Sequence, residues 1–331
     1  MSSSAGQPIS PSPSVGVATR VVWSEHFVLL LSAVYFAVLA PFTPGFASAG
    51  NFESILTTLL PLLLLAVGQT LVLISGGIDL SVTSTVALTS VIGGLAVNLD
   101  SGWLGSGPEA VPLGILLMLT AGAGVGLFNG IAVTRFQMPP FIVTLTTMMF
   151  FSGLAIALTK SMGIANLPAG FVAFGNKTTL ALFVTVVITG LAHLLLSRTL
   201  FGRWLYAVGH NVRAAQVSGV PTAGVITGAY VLSGVMAAMA GLLLTGQAET
   251  ASPVLGQRML LDVIAATVIG GVSLFGGKGK VLWALFGVLF IRLLDNSLNL
   301  LGLTFFVIMI AKGGVILLAA LLDTWRNVRD R

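Results

Sequence analysis

The chain alternates long apolar runs with short polar joints. A hydrocarbon layer ~30 Å thick is crossed by about 20 apolar helical residues, with a range of about 17–25. By that ruler ten segments are candidate spans: 26–42, 54–75, 80–98, 111–134, 139–159, 178–197, 222–245, 259–275, 281–301 and 303–323. The first and eighth are short, and the joint at Gly302 is tight. One apolar stretch carries an internal break. In LVLISGGIDLSVTSTVALTS, residues 71–90, the pattern stops at Gly76-Gly77, admits Asp79 and resumes. Glycine reaches backbone conformations closed to other residues. Aspartate favours helix N-termini, where its oxygens accept orphan N–H groups and meet the positive end of the dipole. The pattern therefore predicts one helix ending at the glycines and a second opening at Asp-Leu-Ser. The predicted fold class is an all-α integral membrane protein of about ten transmembrane helices, with at least one interrupted helix near Gly76–Asp79.

Composition sharpens this reading. Of 331 residues 56% are hydrophobic and 8% are charged, against about 25% charged in soluble domains. A soluble chain this apolar could not cover its own surface. The 40 glycines suit close helix approach in lipid. With no cysteine, disulfides and thiol chemistry are excluded. The net charge of +5 does not mark a nucleic-acid binder, because the basic residues stand singly between apolar runs. Their placement reads as topology. With the N-terminus in the cytoplasm, the inner joints hold Arg20, Arg135, Arg198, Arg203, Arg213, Lys278, Lys280, Arg326, Arg329 and Arg331, and the outer ones Lys160, Lys177 and Arg258. That asymmetry obeys the positive-inside rule. Both ends are then expected in the cytoplasm. The first 20 residues are rich in Ser, Pro and Gly without an apolar core, which predicts a disordered tail and not a cleaved signal.

Little in the chain points to catalysis. GGKGK at 276–280 fails the phosphate-loop spacing, since Val272 and Gly279 stand where Gly and Ser or Thr are required. His26, His193 and His210 lack metal-ligand spacing, so no metal site is expected. The candidates are the polar residues inside apolar runs. Asp79 either caps the helix opening near Ser81 or contacts a translocation pathway; interrupted membrane helices occur where backbone lines a cavity or is buried in protein. Arg292, Asp295, Asn296 and Asn299 fall three and four apart and share a helix face. Arg292 and Asp295 can pair, and the asparagines offer donor and acceptor to a hydroxyl-rich solute or to a neighbouring helix. Lys312 lies in mid-span, either in an ion pair with Asp295 or Asp262 or in a gate. The stretch 198–220 has an amphipathic pattern, with Trp204, Leu205 and Val208 against Arg203, His210 and Asn211. It reads as a membrane-surface helix or as a docking helix for a soluble partner.

Four stretches carry a family resemblance: LVLISGGIDLSVTSTVAL at 71–88, NGIAVTRFQMPPFIVTLTTM at 129–148, RTLFGRWLYAVGHNVRAAQVSGV at 198–220 and LDVIAATVIGGVSLFGGKGKVLWALFGVLF at 261–290. LLDNSLNLLGL and AKGGVILLAALLD extend it to the C-terminus. The chain resembles the membrane permease subunits of ATP-binding-cassette sugar importers, the ribose-permease type, over about residues 27–323. The resemblance implies a transmembrane permease domain over 26–323, with cytoplasmic tails at 1–25 and 324–331. It implies a bacterial inner-membrane protein that forms the pathway for a monosaccharide or polyol with a second permease subunit, as homo- or heterodimer. An ATPase dimer would bind its cytoplasmic face, and a periplasmic or lipid-anchored binding protein would deliver the solute. Mg-ATP would sit in the partner, leaving this chain no cofactor of its own and no enzyme activity. Pathway candidates are Asp79, Ser81, Thr144, Thr147, Asn296 and Asn299, with Arg292, Asp295 and Lys312 as structural charges. The resemblance gives Gly202, Arg203, Gly209, Asn211, Ala214, Ala215 and Gly219 a coupling role toward the ATPase, with 276–280 as a second contact. The chain departs from the family pattern at Thr83, Thr146 and Ser152, and at Val212 and Arg213 where acidic residues are common. These departures point to a specialised ATPase partner or a heterodimeric mate. A different class of reading is an ion-coupled carrier using Asp79, Asp295 and Lys312; a third is a membrane receptor or scaffold.

Overall fold

The computed structural model describes residues 26–329. The expected tail at 1–25 and the last two residues lie outside the described residues. Among these residues the fold is helical, without a β-strand; an isolated bridge joins Ile164 to Ala251. The helices are α1 (Phe27–Leu39), α2 (Ala49–Ile74), α3 (Val82–Val97), α4 (Ala110–Arg135), α5 (Pro140–Thr159), α6 (Ala169–Asn176), α7 (Thr178–Arg198), α8 (Leu200–His210), α9 (Val212–Val217), α10 (Thr222–Ala248), α11 (Leu260–Gly270), α12 (Val281–Leu300) and α13 (Phe305–Arg329).

Every apolar segment read from the sequence is helical, but the count of ten full spans does not carry over. Among the described residues six helices are long and apolar enough to cross a membrane: α2, α4, α5, α7, α10 and α12. Three apolar stretches are shorter, namely α1, α3 and the first part of α13. The run expected over 259–275 becomes α11, with 11 residues, which rise about 16 Å. It stops because Gly271 takes φ +104°, a conformation that ends helices and suits glycine. Hydropathy continues through Phe275 while the helix does not. At the other end of the chain α13 runs past the boundary read at 323, since 315–329 contains neither Gly nor Pro to stop it.

The core sits around α2 and α10. From Leu59 to Ile74 every residue of α2 is buried, so this helix is surrounded by protein and not by lipid. α10 packs against α2, α3, α4 and α6, and α12 against α1, α2 and α11. Small residues make the closest of these contacts possible. A Cβ on Gly126 of α4 would overlap the Tyr230 carbonyl of α10, and one on Gly234 would overlap the Gly122 carbonyl. Likewise a Cβ on Gly287 of α12 would overlap the Ala266 carbonyl of α11. With no solvent-driven hydrophobic effect between helices in lipid, such backbone approach is a principal source of association.

Candidate functional site

Among the described residues two polar centres stand out in the apolar interior, one at a helix break and one built from charged side chains of three packed helices. The first is the break between α2 and α3. Gly76 takes φ +84°, and the N–H groups of Gly76 and Gly77 turn back to the carbonyls of Leu73 and Val72 at 2.9 and 3.1 Å. This closes α2 and delivers Asp79 to the interior at 2% exposure. Asp79 Oδ1 accepts the Ser81 backbone N–H at 2.9 Å and the Ser81 hydroxyl at 2.6 Å. Asp79 Oδ2 accepts the Ser233 hydroxyl of α10 at 2.8 Å. Ser81 Oγ accepts in turn from the Asn129 amide of α4 at 2.8 Å. The neighbouring Ile78 carbonyl receives Thr144 of α5 at 3.2 Å and Tyr230 at 3.3 Å. One carboxylate thus ties together the start of α3 with α4 and α10, and α5 joins one residue away. The expectation that Asp79 is held by backbone N–H groups is corrected: a single backbone N–H and two hydroxyls hold it.

The second centre lies far along α2. Its 26 residues span about 39 Å, with the Asp79 break at one end and Asn51 in its first turn at the other. Asp262 at the start of α11, Arg292 and Asp295 on α12, and Lys312 on α13 close a ring of alternating charge. Arg292 reaches Asp262 at 3.3 Å and Asp295 at 3.1 Å. Lys312 reaches Asp262 at 3.1 Å and Asp295 at 2.8 Å. Each charge has two opposite partners and the ring is formally neutral, which lowers the cost of holding four ions in an apolar bundle. The ring edges a cavity of about 640 Å³ between α2, α10, α11, α12 and α13, on which Gln247, Gln257, Arg258 and Asn299 also border. Arg292 Nε is buried without a protein partner. The cavity thus joins apolar walls to a few convergent polar groups, the make-up of small-molecule sites.

The pathway candidates are therefore divided. Asp79, Ser81, Thr144 and Thr147 are buried in helix packing and do not border this cavity. Thr147 is occupied with the carbonyls of Val143 and Thr144. Asn296 forms a reciprocal amide pair with Asn51 at 2.9 and 2.8 Å, joining α12 to α2. Asn299 alone of the six borders the cavity.

The coupling candidates gather at the end of the molecule where α2 stops. Asn211 caps α9 through the Ala214 N–H at 3.0 Å, and Gly219 ends it at φ +83°. Arg203, Asn211, Ala214 and Gly219 are exposed, while Gly202 and Ala215 are buried. Gly209 is pressed against the Ile74 carbonyl and the Gly277 backbone, where a Cβ would overlap both. Gly277 N–H also donates to the Ile74 carbonyl at 2.9 Å, and Tyr206 donates to the Gly279 carbonyl at 2.6 Å. Burial raises the Tyr206 phenol above its ordinary range, so it remains a donor. The 276–280 turn, the helix break and α8 are one packed junction.

Residues 51–321 match the family described as branched-chain amino acid transport system / permease component. This chain belongs to that family. It is similar to the ribose import permease protein RbsC of Bacillus subtilis, 40% identical over 292 residues that cover 86% of this chain and 88% of that one. RbsC of Haemophilus influenzae is 34% identical over 317 residues, covering 93% and 95% of the two chains. The L-arabinose transport system permease protein AraH of Escherichia coli is 31% identical over 326 residues, 97% of each. No solved structure matches.

Within this permease-family chain, sequence reasoning missed Asn129, Tyr230 and Ser233. A lone Asn in the apolar run of α4 was a usable signal, because an unpaired amide in hydrocarbon is costly. Ser233 and Tyr230 carried none, lying in a run of small and apolar residues whose register against Asp79 is set by tertiary packing.

Proposed function

We propose that this chain is the membrane-spanning permease subunit of an ATP-driven importer for a monosaccharide or related polyol. The observation that carries this is the near end-to-end similarity to ribose and arabinose permeases. The sequence contains no phosphate-binding loop, so energy comes from an ATPase dimer on the cytoplasmic face, with a solute-binding protein delivering the sugar on the other. The basic joints support cytoplasmic termini in a bacterial inner membrane. Half-length segments such as α11 count with the long helices toward about ten membrane-embedded segments.

The cavity beside the charge ring lies on the solute route, with Asn299 and the Arg292 Nε as hydrogen-bonding groups. Asp79, Ser81 and Thr144 fix the helix break and act on the route through it. On the coupling face, exposed Arg203, Asn211, Ala214 and Gly219 are placed to meet the ATPase, and buried Gly202 and Ala215 set the spacing of α8 and α9. Val217, 90% exposed, adds an apolar contact there. Against the ion-coupled alternative, Asp79 lies in a hydrogen-bonded knot remote from Asp295 and Lys312, so the three form no common ion site.

The test is gentle detergent extraction of the tagged chain from its host with mass spectrometry of what remains bound. An ATPase bearing Walker motifs near equal stoichiometry is expected. Recovery of the chain without any ATPase, under conditions that keep membrane complexes intact, contradicts the reading.

A further inference from the structure

The cavity beside the charge ring is bordered on α2 by Thr58 and Pro61. Gln69 follows Thr58 by eleven residues. That is three helical turns, which puts Gln69 within about 20° of Thr58 around the helix and about 16 Å further along it. Gln69 therefore shares the cavity-facing side of α2, nearer to the Ile74 carbonyl where α8 and the 276–280 turn pack. Leu62 and Leu65 lie between them on the same side; both are buried and neither borders the cavity. Gln69 is itself 0% exposed, and among the described residues neither its Nε2 nor its Oε1 has a hydrogen-bond partner. Its neighbour Thr70, equally buried, donates to the Ala66 carbonyl at 2.7 Å. The same turn of helix thus satisfies one polar side chain and leaves the other unpaired at both ends.

We infer that Gln69 is a solute contact on the transport route beyond the cavity, and that its amide bonds two hydroxyls of the passing sugar. A buried amide with both ends unpaired destabilises the state that holds it. A state in which the helices part at Leu62 and Leu65 relieves that penalty, because the amide then meets the polar molecule that the route carries. A sugar hydroxyl both donates and accepts, and an amide offers one group of each kind side by side, which matches a pair of adjacent hydroxyls. A carboxylate or an ammonium at the same place would supply a single role. An amide kept for structure alone would be paired with a neighbouring helix, as Asn296 is with Asn51. The inference rests on the transport reading and adds to it a residue outside the cavity.

The experiment compares stability, uptake and accessibility. In detergent, Gln69→Leu is expected to melt at or above the temperature of the unsubstituted chain, because an unpaired amide gives way to an apolar side chain of similar size. Uptake of a panel of labelled pentoses and hexoses is measured in vesicles holding the chain with its ATPase and binding protein. For the sugar that the unsubstituted chain accumulates, Gln69→Leu is expected to slow uptake about tenfold, the worth of one or two lost hydrogen bonds. The chain has no native cysteine, so Gln69→Cys gives it a single thiol. During ATP turnover a small hydrophilic methanethiosulfonate should modify that thiol several-fold faster than it modifies Val67→Cys, at an equally buried position half a turn around α2 from Thr58. Undiminished uptake by Gln69→Leu overturns the inference. So does a lower melting temperature, which would mark the amide as structurally paired, or labelling no faster than at Val67. If the unsubstituted chain accumulates no sugar of the panel, the transport reading fails first and the inference falls with it.

Discussion

Asp79→Leu is expected to abolish both the folded protein and its uptake activity, whereas Asp79→Asn folds and loses activity only modestly. Leucine removes the acceptor for three donors at once: the Ser81 N–H, the Ser81 hydroxyl and the Ser233 hydroxyl. A buried donor left without a partner costs about 1–3 kcal/mol, and Ser81 and Ser233 are buried at 0% and 1% exposure. The loss is also structural, because Asp79 joins the start of α3 to α10 and, through Ser81, to Asn129 of α4. Asparagine keeps one oxygen for both Ser81 donors. Its amide can donate to Ser233, whose hydroxyl rotates to accept. Size-exclusion profiles in detergent and uptake in cells check both variants. Normal uptake by Asp79→Leu would show that the knot holds nothing essential.

The second large effect is expected at the charge ring. Asp262→Asn leaves Arg292 and Lys312 sharing Asp295, an excess positive charge at a site where Arg292 is 9% exposed. Removing one member of a buried ion network costs about 3–5 kcal/mol, because the remaining charge is uncompensated. The melting temperature in detergent should fall clearly. Adding Lys312→Met restores neutrality, and the double variant should recover most of the loss, a coupling that independent sites do not show. An Asp262→Asn melting temperature equal to that of the unsubstituted chain would mean that the four charges do not act as a unit.

Much of this organisation is legible in the sequence, for reasons that differ by feature. The helix break is local: a Gly pair supplies the left-handed turn at Gly76, and Asp79 follows within three residues. The Arg292–Asp295 contact is equally local, set by helical spacing, and the sequence left Asp295 and Asp262 as alternative partners for Lys312, which reaches both. What local pattern does not carry is the identity of distant partners. Ser233 lies 154 residues from Asp79, and Asn51 lies 245 from Asn296. The Asp79 knot was readable as a charge needing shelter, but not as a site closed off from the cavity. Hydropathy also counts apolar residues without seeing backbone angles, so the stop at Gly271 was invisible to it. The coupling stretch was marked by its amphipathic pattern, yet only packing separates its exposed residues from buried Gly202 and Ala215.

The measurement that bears most directly on the proposed function is sugar uptake into vesicles holding this permease with the ATPase and binding protein that accompany it. ATP inside the cytoplasmic compartment should drive accumulation of labelled pentose or hexose, and dissipating proton and sodium gradients should leave it intact. Uptake by this chain alone, driven by an imposed ion gradient and indifferent to ATP, would contradict the account.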